Sequence, residues 1–120
     1  MQYAHVAETD EAARDTFLPA FVADKRKYAE LAGSQDTDWW DMIPCRWDPD
    51  TLDHERIEGI RRGVLVGSPE TVAERLRAYE RDVQGELHFA SLMALPVLSI
   101  DERVEAFRRF GSEVIPRFND

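Results

Sequence analysis

The four residues Gly67-Ser68-Pro69-Glu70 form a corner between a short apolar run and a helical pattern, and a corner of this kind can bind an anion. The start of a helix offers a phosphate unpaired backbone N–H groups and the positive end of the helix dipole. Pro69 has no N–H group, however, and the Glu70 carboxylate already places a negative charge in the first turn. We therefore interpret the corner as a helix start, with Ser68 as the N-cap and Pro69 as the first helical residue.

Two histidines, His5 and His88, fall within segments that are predicted to be strands. Imidazole is the usual general base near neutral pH, so either residue is a candidate for catalysis or for contact with a cofactor. Both lie before the predicted strand ends, whereas the sites of parallel α/β proteins form at the carboxyl ends of their strands. We favour a packed or edge position for both.

Three tryptophans, Trp39, Trp40 and Trp47, lie in a segment with no steady hydrophobic period, residues 34–50. Large aromatic side chains could form the wall of an apolar substrate pocket, as mobile insertions over active sites do. They could equally anchor an irregular segment onto the core or onto a partner, because aromatic residues are enriched at interfaces. The sequence leaves both interpretations open.

The remaining candidates for chemistry are weaker. The acidic stretch at 48–55 lacks the spacing of a calcium loop, and no second histidine follows at a metal-ligand distance, so an acidic helix start is favoured and no metal site is predicted. Cys45 beside Arg46 could have a lowered pKa, but the sequence offers no evident histidine partner for a nucleophile.

Composition excludes several classes of function. The chain has 120 residues, with 15 Lys and Arg against 24 Asp and Glu, so its net charge is -9. This balance argues against binding to nucleic acid or to anionic membranes, both of which select basic surfaces. No apolar run approaches the ~20 residues that span a bilayer, and no signal peptide is visible. The single cysteine favours a reducing, cytoplasmic location.

Hydrophobic periodicity predicts an α/β domain with parallel strands, in which strands alternate with helices. The predicted elements are a strand over 2–9, a helix over 11–33 with Thr9 or Asp10 as its N-cap and a kink or split at Pro19, an irregular stretch over 34–50, a short helix over 51–62, an extended piece over 63–66, a helix from Pro69, a strand over 86–96 and a final helix from Ile100 to Pro116. Nothing in the sequence divides the chain, so residues 1–120 are expected to form one domain.

The last two elements have distinctive patterns. Both faces of the strand over 86–96 are mostly apolar or small, which is typical of a strand that is covered on both sides. Ser99 and Glu102 have the spacing of a capping box at the start of the final helix. The buried stripe of that helix is predicted to consist of Ile100, Val104, Phe107, Phe110 and Val114.

Several spaced motifs together resemble a known family. They are "YAHVAETDEAAR" at 3–14, "VLVGSPETVAERL" at 64–76, "LHF" at 87–89, "LPVLS" at 95–99 and "FGSEVIPRF" at 110–118. In this order they resemble the C-terminal part of the luciferase-like flavin-dependent monooxygenases. Two departures are Val97, where glycine is more usual, and the "VQGELHF" stretch, where "GVDHF" is more usual.

The resemblance implies a partial TIM-type (β/α)8 barrel. A complete barrel takes ~250 residues, and this chain would supply the last two β-α units with an irregular insertion over 34–62 between strand and helix. By family, the cofactor would be FMN, or deazaflavin in a variant, and the reaction an oxidoreduction or monooxygenation. Ser91 and Met93, near the end of the last strand, would face a substrate pocket together with Trp39, Trp40 and Trp47.

Because the earlier strands carry most flavin contacts in this family, the isolated chain is expected to bind flavin weakly or not at all. A companion chain that completes the barrel is one expected partner, and a second copy of this chain in a homo-oligomer is another. The alternative is a non-catalytic, truncated α/β module that self-associates or binds a partner through open strand edges. A third possibility is a chain that has lost the ancestral chemistry and has a small-molecule pocket at an oligomer interface.

Overall fold

The computed structural model describes residues 2–32, 63–83, 86–93, 95 and 97–118, which form a three-stranded parallel sheet flanked by helices. The elements follow one another as β1 (Gln2–Val6), α1 (Asp10–Ala32), β2 (Leu65–Gly67), α2 (Pro69–Asp82), β3 (Ser91–Leu92) and α3 (Ile100–Arg109). A π-helical turn over Phe110–Val114 and a 3₁₀ turn over Ile115–Phe118 continue α3. The predicted insertion and short helix over 34–62 lie outside the described residues.

β1 is the central strand of the sheet, whose order is β2-β1-β3. Ala4 lies opposite Leu65 and Val6 opposite Gly67, while Gln2 lies opposite Ser91 on the other edge. All pairings are parallel, which confirms the predicted α/β class with parallel strands.

The alternation of side chains along β1 and β2 divides the core into two clusters. On one face, Ala4, Val6 and Leu65 pack against the apolar residues of α2. Ala106 of α3 and Val114 of the π-helical turn belong to the same cluster. On the other, Tyr3 and Val66 pack against α1, whose main contributions are Phe17, Ala20 and Phe21. The helices therefore cover both faces of β1 and β2.

Local capping interactions start each helix, as the sequence predicts. Thr9 accepts a hydrogen bond from the N–H of Ala12 at 3.1 Å, and Ser68 accepts one from the N–H of Thr71 at 3.3 Å. At the start of α3 both bonds of the capping box are present, between Ser99 and Glu102. These bonds satisfy N–H groups that have no partner within the helix.

Pro19 does not split α1, which is assigned as one helix from Asp10 to Ala32. An internal proline removes a backbone hydrogen bond and costs about 3 kcal/mol. Phe17 and Ala20, on either side of Pro19, are both buried against the sheet. We attribute the continuity of the helix to this burial on both sides of the proline.

The predicted strand over 86–96 is wrong in its length, because only Ser91–Leu92 forms β3. In the observed register Ser91 lies opposite Gln2, so residues 86–90 extend beyond the first residue of β1. The Ala90 carbonyl accepts the N–H of Gln2 at 3.1 Å, but none of these five residues belongs to the strand. These residues are also not covered on both sides, since His88 and Ala90 are exposed.

The predicted buried stripe of the last helix is also wrong for its first three members. Ile100, Val104 and Phe107 are exposed, whereas Val114 is buried and Phe110 is partly buried against the core. The residue of α3 that is buried is Ala106. A small side chain at this point lets the helix backbone approach the sheet closely, and that approach turns the bulkier stripe outward.

No helix among the described residues has both the length and the apolar character needed to cross a membrane.

Candidate functional site

A cavity of about 150 Å³ lies at the carboxyl end of β1. Its walls are residues 5–8 at the end of the strand, Thr16 from α1, and Glu102, Glu105, Ala106 and Arg109 from α3. β3 pairs only with Gln2 and Tyr3, so the described sheet offers β1 no partner on that edge from Ala4 onward. The cavity thus occupies the edge at which parallel α/β proteins form their sites.

His5 is the buried titratable group of this cavity. It is 4% exposed, and its ring lies 6.2 Å from the ring of Phe17, tilted by 31°. Burial lowers the pKa of His5, and the Glu102 carboxylate opposes that shift only in part. Burial therefore favours the neutral imidazole.

The accessible chemistry of His5 is limited. Its Nδ1 atom is buried and has no hydrogen-bond partner in the described structure. Because this atom has almost no exposed surface, a molecule in the cavity could reach the imidazole only through another ring atom. A buried ring nitrogen without a hydrogen-bond partner destabilises the folded state, and such atoms are rare in protein structures.

Two of the charged residues that line the cavity, Glu105 and Arg109, form an ion pair with each other. Arg109 donates to Glu105 at 3.1 Å and to Glu113 at 3.2 Å. Glu105 also accepts two hydrogen bonds from Arg108, which hold the pKa of its carboxyl below the usual range. Glu102 accepts the N–H of Ser99 at 2.8 Å. This arrangement resembles a structural network more than an acid–base pair.

The corner at Gly67-Ser68 contains an anion that the chain itself supplies. The Asp10 carboxylate accepts hydrogen bonds from the N–H of Ser68 at 2.7 Å and from the hydroxyl of Thr71 at 2.9 Å. Gly67 permits this approach, because a Cβ there would lie 2.7 Å from Asp10 Oδ1. A phosphate does not fit at this helix start while Asp10 occupies it.

A second cavity, of about 310 Å³, lies beside the residues that precede β3 in the sequence. It is lined by Leu76, Leu87, Phe89, Phe110 and Phe118, with Glu80 and Ser91 as its polar members. Phe118 is also contacted by Arg77, whose guanidinium lies 5.3 Å from the ring centroid and donates to the Arg117 carbonyl at 3.0 Å. This cavity is at the amino end of β3, away from the carboxyl edge.

The structure separates the predicted pocket residues. Ser91 lines the apolar cavity, whereas Met93 is 2% exposed and belongs to the core. Trp39, Trp40 and Trp47 lie outside the described residues. His88 is highly exposed, with the Glu86 carboxylate 3.8 Å away, and lines neither cavity.

The residues of α3 that line the carboxyl-edge cavity were not predicted from the sequence, nor was the role of Asp10. A signal for Asp10 was available, because two parallel neighbouring strands place the helices that follow them at one edge of the sheet. No comparable signal existed for Arg109, since the orientation of α3 depends on tertiary packing.

The cavity at the carboxyl edge, at about 150 Å³, is smaller than the roughly 300–1,000 Å³ that small-molecule and cofactor pockets commonly enclose. Within the described ranges, no group of three His, Cys, Asp or Glu residues could hold a metal ion. The chain matches no family model, no curated protein and no solved structure.

Proposed function

We propose that this chain is a C-terminal segment or subunit of a luciferase-like flavin-dependent oxidoreductase, and that it acts only with polypeptide that completes the barrel. The spaced motifs supply the family hypothesis. The observation that carries the functional part is the carboxyl-edge cavity, which lies where barrel enzymes form their active sites. Its volume of about 150 Å³ is smaller than that of a pocket for a ligand of flavin size.

The arrangement of β1 and β3 is compatible with this proposal. As seventh and eighth strands of a barrel they would be adjacent and parallel, as they are here. β2 then occupies the edge of β1 at which a preceding barrel strand would pair. Completion of the barrel therefore requires incoming polypeptide to displace the three residues of β2 or to pair beyond them.

FMN, or deazaflavin, would carry the redox chemistry, and the protein would bind and shield it. His5 is the residue of this chain that we assign to the neighbourhood of the cofactor, as a neutral polar group that packs rather than as a base.

The proposal predicts a difference between the isolated chain and its complex. The isolated chain, titrated with FMN and followed by flavin fluorescence, is expected to show no stoichiometric binding. The tagged chain, purified from the organism that encodes it, is expected to carry a companion polypeptide and flavin absorbance. Tight, stoichiometric flavin on a monomer of this chain would refute the requirement for a companion, and a companion without flavin would refute the oxidoreductase assignment.

A second candidate function is a non-catalytic module that associates through its surface. The observation that favours it is the set of apolar side chains exposed on α3 and in the segments next to it: Val97, Ile100, Val104, Phe107 and Ile115. Native mass spectrometry combined with flavin absorbance distinguishes the two functions, because this module would form an assembly that contains no flavin.

A further inference from the structure

The exposed side of α3 carries an apolar stripe with coiled-coil spacing. Ile100, Val104 and Phe107 are 70%, 59% and 50% exposed, and the intervals of four and three residues place them on one side of the helix. Gly111 continues the stripe four residues later, and nothing lies within 4 Å of where its Cβ would be. Single exposed apolar residues are ordinary, but a continuous stripe marks an interaction surface.

The helix cannot bury this stripe against its own domain by a simple rotation. Its opposite side already contributes Ala106 and, in the turn that follows, Val114, which are 1% and 0% exposed. A rotation that hid Val104 would bring these two residues into water. The stripe is therefore available to another polypeptide while the domain keeps its core.

The charges beside the stripe are complementary to those on a second copy of the same helix. Asp101 and Arg108 are both exposed, and their separation of seven residues places them on the same flank of the stripe. If a second α3 lies antiparallel across a twofold axis near the middle of the stripe, Asp101 of each copy meets Arg108 of the other. In a parallel pair this flank would face the opposite flank of the second helix, and Asp101 would not meet Arg108.

The sizes of the side chains and the directions of the helix dipoles also favour the antiparallel arrangement. It places Ile100 opposite Gly111 of the second copy, so that a large side chain meets the open space at a glycine. Val104 then lies opposite Phe107. Antiparallel helices also bring the acidic start of each α3 beside the basic end of the other.

We propose that two copies of this chain form a symmetric dimer through antiparallel packing of α3 against α3. This proposal is independent of the flavin assignment and differs from association through strand edges. Arg108 already pairs with Glu105 at 2.6 Å, and its guanidinium has enough donors to bind a second carboxylate as well. A ten-residue helix is only about 15 Å long, so the dimer is weak, with a Kd of roughly 10⁻⁵ to 10⁻⁴ M.

Charge reversal tests both the partner and the orientation. Sedimentation equilibrium on the full chain, from micromolar to millimolar concentration, is expected to show a monomer–dimer equilibrium. D101R and R108D are each expected to weaken self-association by about tenfold, because each creates two like-charge contacts in its own dimer. An equimolar mixture of the two variants is expected to recover association at least as strong as that of the wild type. In the mixed dimer, positions 101 and 108 are both basic in the D101R chain and both acidic in the R108D chain. Each contact between the two helices therefore joins opposite charges again.

E74R is the matched control, because Glu74 is exposed on α2 and away from the stripe; it is expected to dimerise as the wild type does. Circular dichroism establishes that each variant is folded before association is compared. A wild-type chain that stays monomeric throughout the concentration range would overturn the proposal. A mixture that associates no better than its two components would also overturn it.

Discussion

The carboxylate of Asp10 accepts a hydrogen bond from the backbone N–H of Ser68 at 2.7 Å, although the two residues are 58 positions apart. The parallel register of β1 and β2 accounts for this contact. Val6 lies opposite Gly67, so the helix starts that follow these residues meet at one edge of the sheet. Asp10 thereby supplies the negative charge at the start of α2 and connects the first β-α unit to the second.

Replacement of Asp10 by Ala is expected to lower the free energy of unfolding by about 1–3 kcal/mol, because Ser68 and Thr71 lose a charged acceptor. Urea unfolding followed by circular dichroism measures the loss. Asp15→Ala is the matched control, since Asp15 is 63% exposed and its ion pair with Arg14 is with the adjacent residue. It is expected to change the free energy by less than about 0.5 kcal/mol. Equal losses in the two variants would contradict the assigned role of Asp10.

Gly67→Ala tests the close approach beside this contact. The added Cβ would lie 2.7 Å from Asp10 Oδ1 and 2.9 Å from Thr71 Cγ2, so one of these groups must move. We expect a loss of about 1–3 kcal/mol in the free energy of unfolding. In the Asp10→Ala background the loss is expected to be smaller, because the nearest atom has been removed. Gly111→Ala, with open space at its Cβ, is the control and is expected to cause no loss.

The features that the sequence predicts well are those fixed by a few neighbouring residues. The N-caps Ser68 and Ser99 and the first-turn Pro69 each have their partners within one helical turn. The contact of Asp10 with Ser68 could not be predicted in this way, because it depends on the register between two strands that are distant in the sequence.

The orientation of α3 shows a second limit of periodicity. The structure divides the apolar residues of the helix and its extension into an exposed set, with Ile100, Val104 and Phe107, and a buried set, with Ala106 and Val114. Hydrophobicity alone favours the bulkier set for burial, whereas close packing against the sheet favours the set with Ala106. Only the tertiary structure decides between them, and for this reason the carboxyl-edge wall formed by Arg109 was not predicted.

Burial of His5 predicts a dependence of stability on pH. Its pKa in the folded chain is below the ordinary value of 6.5, so the unfolded chain binds more protons between the two pKa values. The free energy of unfolding therefore rises with pH across that window, and the destabilisation is largest below the folded pKa. In His5→Leu this contribution is expected to disappear. Urea unfolding at about pH 5.5 and about pH 7.5 gives, for the wild type and for His5→Leu, the difference in the free energy of unfolding between the two pH values. Equal differences in wild type and variant would show that His5 does not titrate as its burial implies.

A pair of aspartate substitutions on α3 tests which side of the helix faces the core. Val104→Asp changes a residue that is 59% exposed, so the free energy of unfolding is expected to change by less than about 0.5 kcal/mol. Ala106→Asp introduces a carboxylate at a position that is 1% exposed, and a loss of more than about 3 kcal/mol is expected because burial removes the hydration of the charged group. Thermal and urea unfolding at low micromolar concentration, where the chain is monomeric, measure both changes without a contribution from association. If Val104→Asp unfolds the domain while Ala106→Asp is tolerated, the stripe of Ile100, Val104 and Phe107 faces the core, and the dimer proposed through it has no free surface on which to form.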